Sequence, residues 1–206
     1  MPASVGLECV VERLGRLGFV KRAGLIFTLP LHGDVVLGWV GLNKATRGGR
    51  GEVVLNPVVG VRHQGVEKVV AELRGEKYHG YVPPTVSSPL RYLMPVDERR
   101  EWVLKKDGGD EAVADHLAGA VERFGCQFIR SCASSAGLVA AVRAGHGHVH
   151  QNCYRLPVAL LLAGNVVEAA QVIEQELGAL GVRSDPAAEQ LREFASRLRQ
   201  RITTLG

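Results

Sequence analysis

Aromatic side chains are scarce, making up 5% of the 206 residues. Extended platforms for single-stranded nucleic acid stack bases on exposed rings, and a chain this poor in rings argues against one. Cysteine is sparse too. Cys9, Cys126, Cys132 and Cys153 form no C-x-x-C pair, and a chain of this length needs no covalent staples, so reduced thiols are expected. No apolar run comes near the roughly 20 residues of a membrane span. The longest, Leu156 to Gly164, contains Pro157 and is followed by Asn165. The N-terminal residues lack a basic leader, and Glu8 and Glu12 interrupt their apolar pattern, unlike a secretory signal. A cytoplasmic protein with no membrane partner is therefore expected. The G-x-x-x-x-G-K-[ST] spacing of a phosphate loop is missing. So is any helix-turn-helix, zinc-finger or basic-zipper signal.

What remains is the mixture of a soluble globular protein, 46% hydrophobic and 22% charged, enough to bury a real core in one large domain or two small ones. The formal charge of +4 conceals an asymmetry. Residues 1–103 carry 14 Lys+Arg against 10 Asp+Glu, whereas residues 104–206 carry 11 of each. Between Arg13 and Arg50, seven bases face one acid, Asp34. An acidic partner is therefore expected on the N-terminal side.

Leu7, Val10, Val11, Leu14 and Leu17 recur at helical spacing, which predicts an amphipathic helix closed by Gly18. Three strand-like segments follow: Phe19 to Leu31, Asp34 to Leu42 and Glu52 to Arg62. The second is apolar on both faces and reads as a central strand. His32-Gly33-Asp34 reads as a hairpin turn and Lys44 to Gly51 as a longer mobile loop. Pro57 has no amide hydrogen, so the third strand is expected at an edge or bulged there. Val66, Val69, Val70 and Leu73 predict a short helix ending near Gly75. Lys77 to Pro95, with four prolines, reads as an extended strap with a short strand at Arg91 to Met94. Glu101 to Lys105 adds another strand, and Asp107 to Asp110 a turn.

Beyond that point the spacing is helical. Asp110 is expected to cap a helix reaching Phe124, and Ser134 or Ser135 a second. Tyr154–Ala163 and Val166–Leu180 form a helical hairpin across Gly164-Asn165. Its Leu160 to Asn165 step, with Ala169-Ala170, looks like a single tetratricopeptide-type unit, which one copy makes a packing feature. Pro186, capped by Asp185, opens the last helix. Strands followed by helices give an α+β fold: an N-terminal helix plus a small antiparallel sheet, then a helical C-terminal half. The division is expected at residues 1–106 and 107–206, as one integrated domain.

Candidate sites are few. His146, His148 and His150 alternate along the chain and Cys153 follows. In an extended strand the three imidazoles would share a face, and zinc takes three or four such ligands. A solvated Gly-rich connection between helices competes with that reading. Lys21, Arg22, Lys44, Arg47, Arg50 and Arg62 would make a basic sheet surface able to follow a phosphate backbone. Cys132, near a helix start, is the better placed of the thiol nucleophiles and Cys126 the other, against a buried small side chain. His63 and Glu67 can meet across one helix turn as acid and base, against a capping role.

Gly18-Phe19-Val20-Lys21, Phe27, and the strand end Asn56-Pro57-Val58-Val59-Gly60-Val61 together resemble an uncharacterised bacterial group, domain-of-unknown-function family 4304, over about residues 7–63. The resemblance implies an N-terminal helix ending in a Gly-Phe-basic step, then antiparallel strands. The family's Gln-Ser step is replaced here by Leu42-Asn43-Lys44. The family has no established activity, so no catalytic residue is carried over.

The expectation is a non-enzymatic cytosolic bacterial protein-interaction module with a protein partner, and the resemblance suggests an accessory or immunity-like role in a conflict or defence system. Two alternatives stand beside it. One is a metal-dependent hydrolase holding zinc on His146, His148, His150 and Cys153. The other is a nucleic-acid-binding protein using the basic sheet.

Overall fold

Leu7, Val10 and Leu14 lie on one helical face, and all three are buried. They set the packed side of α1 (Val5–Arg16), whose Glu8, Glu12, Arg13 and Arg16 line the other side. The computed structural model describes residues 5–33, 35–45, 51–105 and 110–205. The chain divides into two units, Met1–Val61 with Ser87–Ser131 and Arg62–Val86 with Cys132–Gly206. The architecture is α+β: a helix, a curled antiparallel sheet, then a mostly helical C-terminal half.

In the first unit the sheet runs β1 (Val20–Lys21), β2 (Ile26–Leu31), β3 (Val36–Lys44), β4 (Glu52–His63) and β5 (Val86–Pro89) in spatial order, and β6 (Trp102–Lys105) also pairs with β4. The segment expected as one strand, Phe19 to Leu31, is split in two. Arg22 to Leu25 turns the chain back with Gly24 at φ +57°, so that β1 pairs with β2 in the register Val20↔Thr28. The hairpin between β2 and β3 forms as expected, closing on Leu31↔Val36, with His32 and Gly33 in the left-handed region. Asp34 and the loop residues 46–50 lie outside the described residues. Seven successive residues of β3, Val36 to Leu42, are buried, which is the two-sided cover its apolar run implies.

Pro57 does not mark an edge. β4 lies between β3 and β5, and its first residues, Glu52 to Leu55, pair with β6. Pro57 falls two residues beyond the run paired with β6. The short strand expected at Arg91 to Met94 is instead one helical turn, α3 (Leu90–Leu93), and the strand is β5 just before it. α4 (Glu111–Ala120) runs through a π turn at Val121–Gly125 into α5 (Cys126–Ser131). Gly125 makes room there: a Cβ would stand 3.1 Å from Val59. Phe27, Val40, Val59, Leu104, Leu117 and Ile129 fill this core.

In the second unit α2 (Gln64–Arg74) ends where expected. Gly75 adopts φ +69°, and the amides of Gly75 and Glu76 donate to the carbonyls of Glu72 and Ala71, a Schellman closure. α6 (Ser135–Arg143) is capped by Ser134, whose hydroxyl accepts from the Gly137 amide. α7 (Asn152–Leu162) and α8 (Val166–Leu180) make the expected hairpin. α9 (Pro186–Leu205) is capped by Asp185 through the Ala188 amide. α7 packs on α2, α6, α8 and α9, burying Val158, Leu160, Ile173 and Leu198, with Tyr154 edge-on to Phe194.

Asp110 departs from its expected role. Its side chain does not cap α4; Oδ1 accepts from the Lys105 amide instead. The buried carboxyl lies against α1, where a Cβ on Gly6 would stand 2.6 Å from the Asp110 Cβ. Gly6→Ala therefore forces a clash, expected to cost about 1–3 kcal/mol as overpacking does. Gly15 of the same helix has nothing within 4 Å of its Cβ position, so Gly15→Ala should be neutral or stabilising by up to about 1 kcal/mol. Urea unfolding of both variants checks the opposite signs.

Candidate functional site

On α2 the residues Glu67, Val70 or Ala71, and Arg74 follow each other at i, i+3/i+4 and i+7. That spacing places them on one helical stripe. At the start of α7, Gln151 and Arg155 stand one turn apart. Arg62 comes from the end of β4, immediately before α2. These stripes come together around a pocket in the second unit, with a volume of about 440 Å³.

Its floor is ionic. Arg62 and Arg155 are each 2% exposed, and the single carboxylate between them, Glu67, is 8% exposed. Arg62 Nη1 stands 3.5 Å from Glu67 Oε2. Arg155 Nη2 donates to the same oxygen at 3.4 Å. Arg155 Nε is 2.9 Å from Glu67 Oε1, yet neither atom has hydrogen-bond geometry, so that contact is coulombic. Arg155 Nη1 is buried without a hydrogen-bond partner among the described residues. Burial pulls the Arg62 guanidinium below its ordinary pKa, and Glu67 opposes the shift. A guanidinium stays charged regardless, so desolvation here is a standing cost that neighbouring oxygens must offset.

Arg62 finds those oxygens in the segment after α2. Its Nη1 and Nη2 donate to the carbonyls of Pro83 and His79, and its Nε donates to Gln64 Oε1 at 3.2 Å. Gln64 in turn donates to the Gly80 carbonyl at 2.8 Å and accepts from the Tyr78 hydroxyl at 2.7 Å. The Arg62 guanidinium lies over the Tyr78 ring, 5.5 Å from its centroid. One buried arginine thus pins the wall made by Tyr78, His79 and Pro83.

Arg74 forms the next wall. It donates to Gln151 and Gln190, pairs with Glu76 at 2.7 Å and stacks on Tyr154 at 4.4 Å. Lys77, Tyr78, His79, His148 and His150 are exposed and line the mouth. The lining holds four permanent cations, Arg62, Arg74, Lys77 and Arg155, against two carboxylates, Glu67 and Glu76.

The residues singled out from sequence are distributed differently. Lys21, Arg22 and Lys44 are exposed on the sheet of the first unit, where Arg22 donates to Thr28. Arg47 and Arg50 lie outside the described residues. Arg62 is not a surface base at all: at 2% exposure it belongs to the pocket floor. His146, His148 and His150 do not form a strand, because the chain turns through a 3₁₀ segment at Val149–Gln151. The rings of His148 and His150 lie 5.6 Å apart and tilted, and the Cys153 thiol points at the His150 carbonyl. No group of three or more His, Cys, Asp or Glu is placed to hold a metal ion among the described residues. The His63 ring meets the Cys132 carbonyl at 2.8 Å, while Glu67 faces the guanidiniums. His63 makes no side-chain cap to α2. Cys132 is buried, and burial raises the Cys126 thiol pKa.

Pattern reading passed over Arg155 and Arg74. The available signal was the Glu67, Ala71, Arg74 stripe on a helix whose other positions, Val66, Val69 and Leu73, are core.

Two outcomes follow. Glu67→Gln leaves two guanidiniums buried without a counter-charge and should destabilise the protein by about 3–5 kcal/mol in urea unfolding. Burial, helped by Glu176, pushes the Cys153 thiol up to about 11. The folded state therefore holds that proton more tightly than the unfolded chain, and this contribution is full below the ordinary thiol range and lost as pH rises toward 11. At pH 8 a variant keeping only Cys153 should react with a disulfide reagent about a hundredfold more slowly than an ordinary thiol, because the thiolate is the nucleophile.

Comparison with protein-family models, with curated proteins and with solved structures finds no match to this chain, and the chemistry of the pocket is what remains to indicate function.

Proposed function

We propose that the chain is a binding protein whose recognition site is the cationic pocket of the second unit, and that its ligand is an anion. The observation that carries this is the floor: two guanidiniums withdrawn from water around one carboxylate. A buried cation without a full counter-charge is costly, and a ligand oxyanion entering the pocket supplies the missing charge. The surrounding walls raise the effect, since a concave site with low-dielectric sides focuses the field of its charges. Guanidiniums also suit carboxylate and phosphate oxygens in shape, through their planar fork of donors.

Four cysteines outside any disulfide suit a reducing compartment, and we assign the protein to the cytosol. An interaction-module role is compatible with the pocket, which would then take an acidic group presented by the partner.

A ligand that binds only the folded state raises its stability by mass action, by about 2.7 kcal/mol at a hundred times its dissociation constant. Millimolar inorganic phosphate, pyrophosphate or citrate should therefore raise the melting temperature above that in chloride of matched ionic strength. The reversal Arg74→Glu with Lys77→Glu should abolish the rise while the far-ultraviolet spectrum stays that of the parent. No rise with any of the three anions would remove the proposal.

A further inference from the structure

The pocket is graded from floor to mouth. Arg62, Glu67, Val70 and Arg155 are buried, Ala71, Arg74, Val82 and Gln151 are half-buried, and the mouth is exposed. At the mouth the chemistry changes. Tyr78 and His79 come from the segment after α2, and His148 and His150 from the turn before α7. Four rings from two separate segments therefore border a cavity whose floor is cationic.

We infer that the pocket takes a nucleoside monophosphate, phosphate first, with the base held among the rings at the mouth. The inference rests on the anion-pocket reading and adds the ligand class. Three features select it. The lining carries two more permanent cations than carboxylates, and a phosphate monoester carries about 1.5 to 2 negative charges at neutral pH, whereas a monocarboxylate would leave one cation over. The volume of about 440 Å³ is that of a small-molecule site and far exceeds a bare phosphate ion. The flat rings offer a face to a planar base, a contact that every base can make. Ala71 and Val82 line the middle and suit the less charged sugar.

Calorimetric titration of the full chain with adenosine monophosphate, ribose 5-phosphate, inorganic phosphate and adenosine tests this. The nucleotide should bind at least about tenfold more tightly than each of the other three, since only it engages both floor and rings. His148→Ala combined with His150→Ala, two rings whose side chains touch each other rather than the floor, should lower nucleotide affinity by about tenfold and leave ribose 5-phosphate unchanged, a pattern that loss of fold does not produce. Equal binding of nucleotide and ribose 5-phosphate overturns the inference but leaves the anion pocket standing. Absence of binding by all the phosphates overturns the inference, and the anion pocket falls with it when citrate also fails to raise the melting temperature. A 5′-phosphorylated oligonucleotide is the final arm. Binding tighter than the free nucleotide assigns the ligand to a nucleic-acid end, and equal or weaker binding assigns it to the free nucleotide; either supports the inference.

Discussion

Two guanidiniums share one carboxylate in the second unit, and most of what surrounds them follows from the cost of that arrangement. An arginine cannot shed its proton to escape burial, so Arg62 must find acceptors. It takes the carbonyls of His79 and Pro83 together with Gln64. The two carbonyls belong to a segment with no helix or strand of its own between Gly75 and Thr85. The ion cluster therefore does for this stretch what a backbone ladder does elsewhere: it assigns partners to polar groups that would otherwise turn to water. Arg155 differs. With Glu67 already shared, two of its nitrogens, Nε and Nη1, have no hydrogen-bond partner among the described residues, and the site keeps an unmet electrostatic demand.

The first unit is held by other means. Its buried polar groups are fewer, and its order comes from matched apolar faces: β3 covered on both sides and α1 set against α4. There a close approach replaces an ion pair, as where Gly6 admits the Asp110 carboxyl. Such packing tolerates volume changes poorly, whereas an ion cluster tolerates loss of a partner poorly. The two units fail to different substitutions.

This difference also explains which features were legible in the sequence. Apolar periodicity announces α1, β3, α2 and the α7–α8 hairpin, because burial of one face is what periodicity encodes. Local stop signals worked wherever one residue acts alone, as with Gly75, Ser134 and Asp185. Reading failed where a polar residue serves a distant partner. Asp110 looks like a cap, but its oxygen goes to Lys105. Arg62 ends a strand among bases and looks like a surface residue, because charged side chains are rarely buried unless paired. Its partners, Glu67 and the carbonyls of His79 and Pro83, lie 5, 17 and 21 positions away, outside any helical or strand period. The alternation of His146, His148 and His150 suggested a strand face, but two glycines with positive φ, Gly145 and Gly147, turn the chain there.

Charge counting by sequence halves pointed to the sheet, and counting by structural unit shifts the weight. The second unit has 11 Lys+Arg and nine Asp+Glu, and the pocket lining holds four of those bases and two of those acids. Seven of each remain, and several are paired with one another: Arg143 with Glu168, Arg199 with Glu174, Arg201 with Glu72, Arg183 with Asp185 and Arg197 with Glu193. Outside the pocket this unit is thus electrically balanced, and its whole formal excess of positive charge belongs to the pocket lining. Exposed pairs contribute little to stability, but they neutralise the surface that bears them. A diffuse surplus would attract polyanions anywhere on the surface. A surplus confined to one concave site, around arginines that lack sufficient counter-charge, favours an anion small enough to enter it.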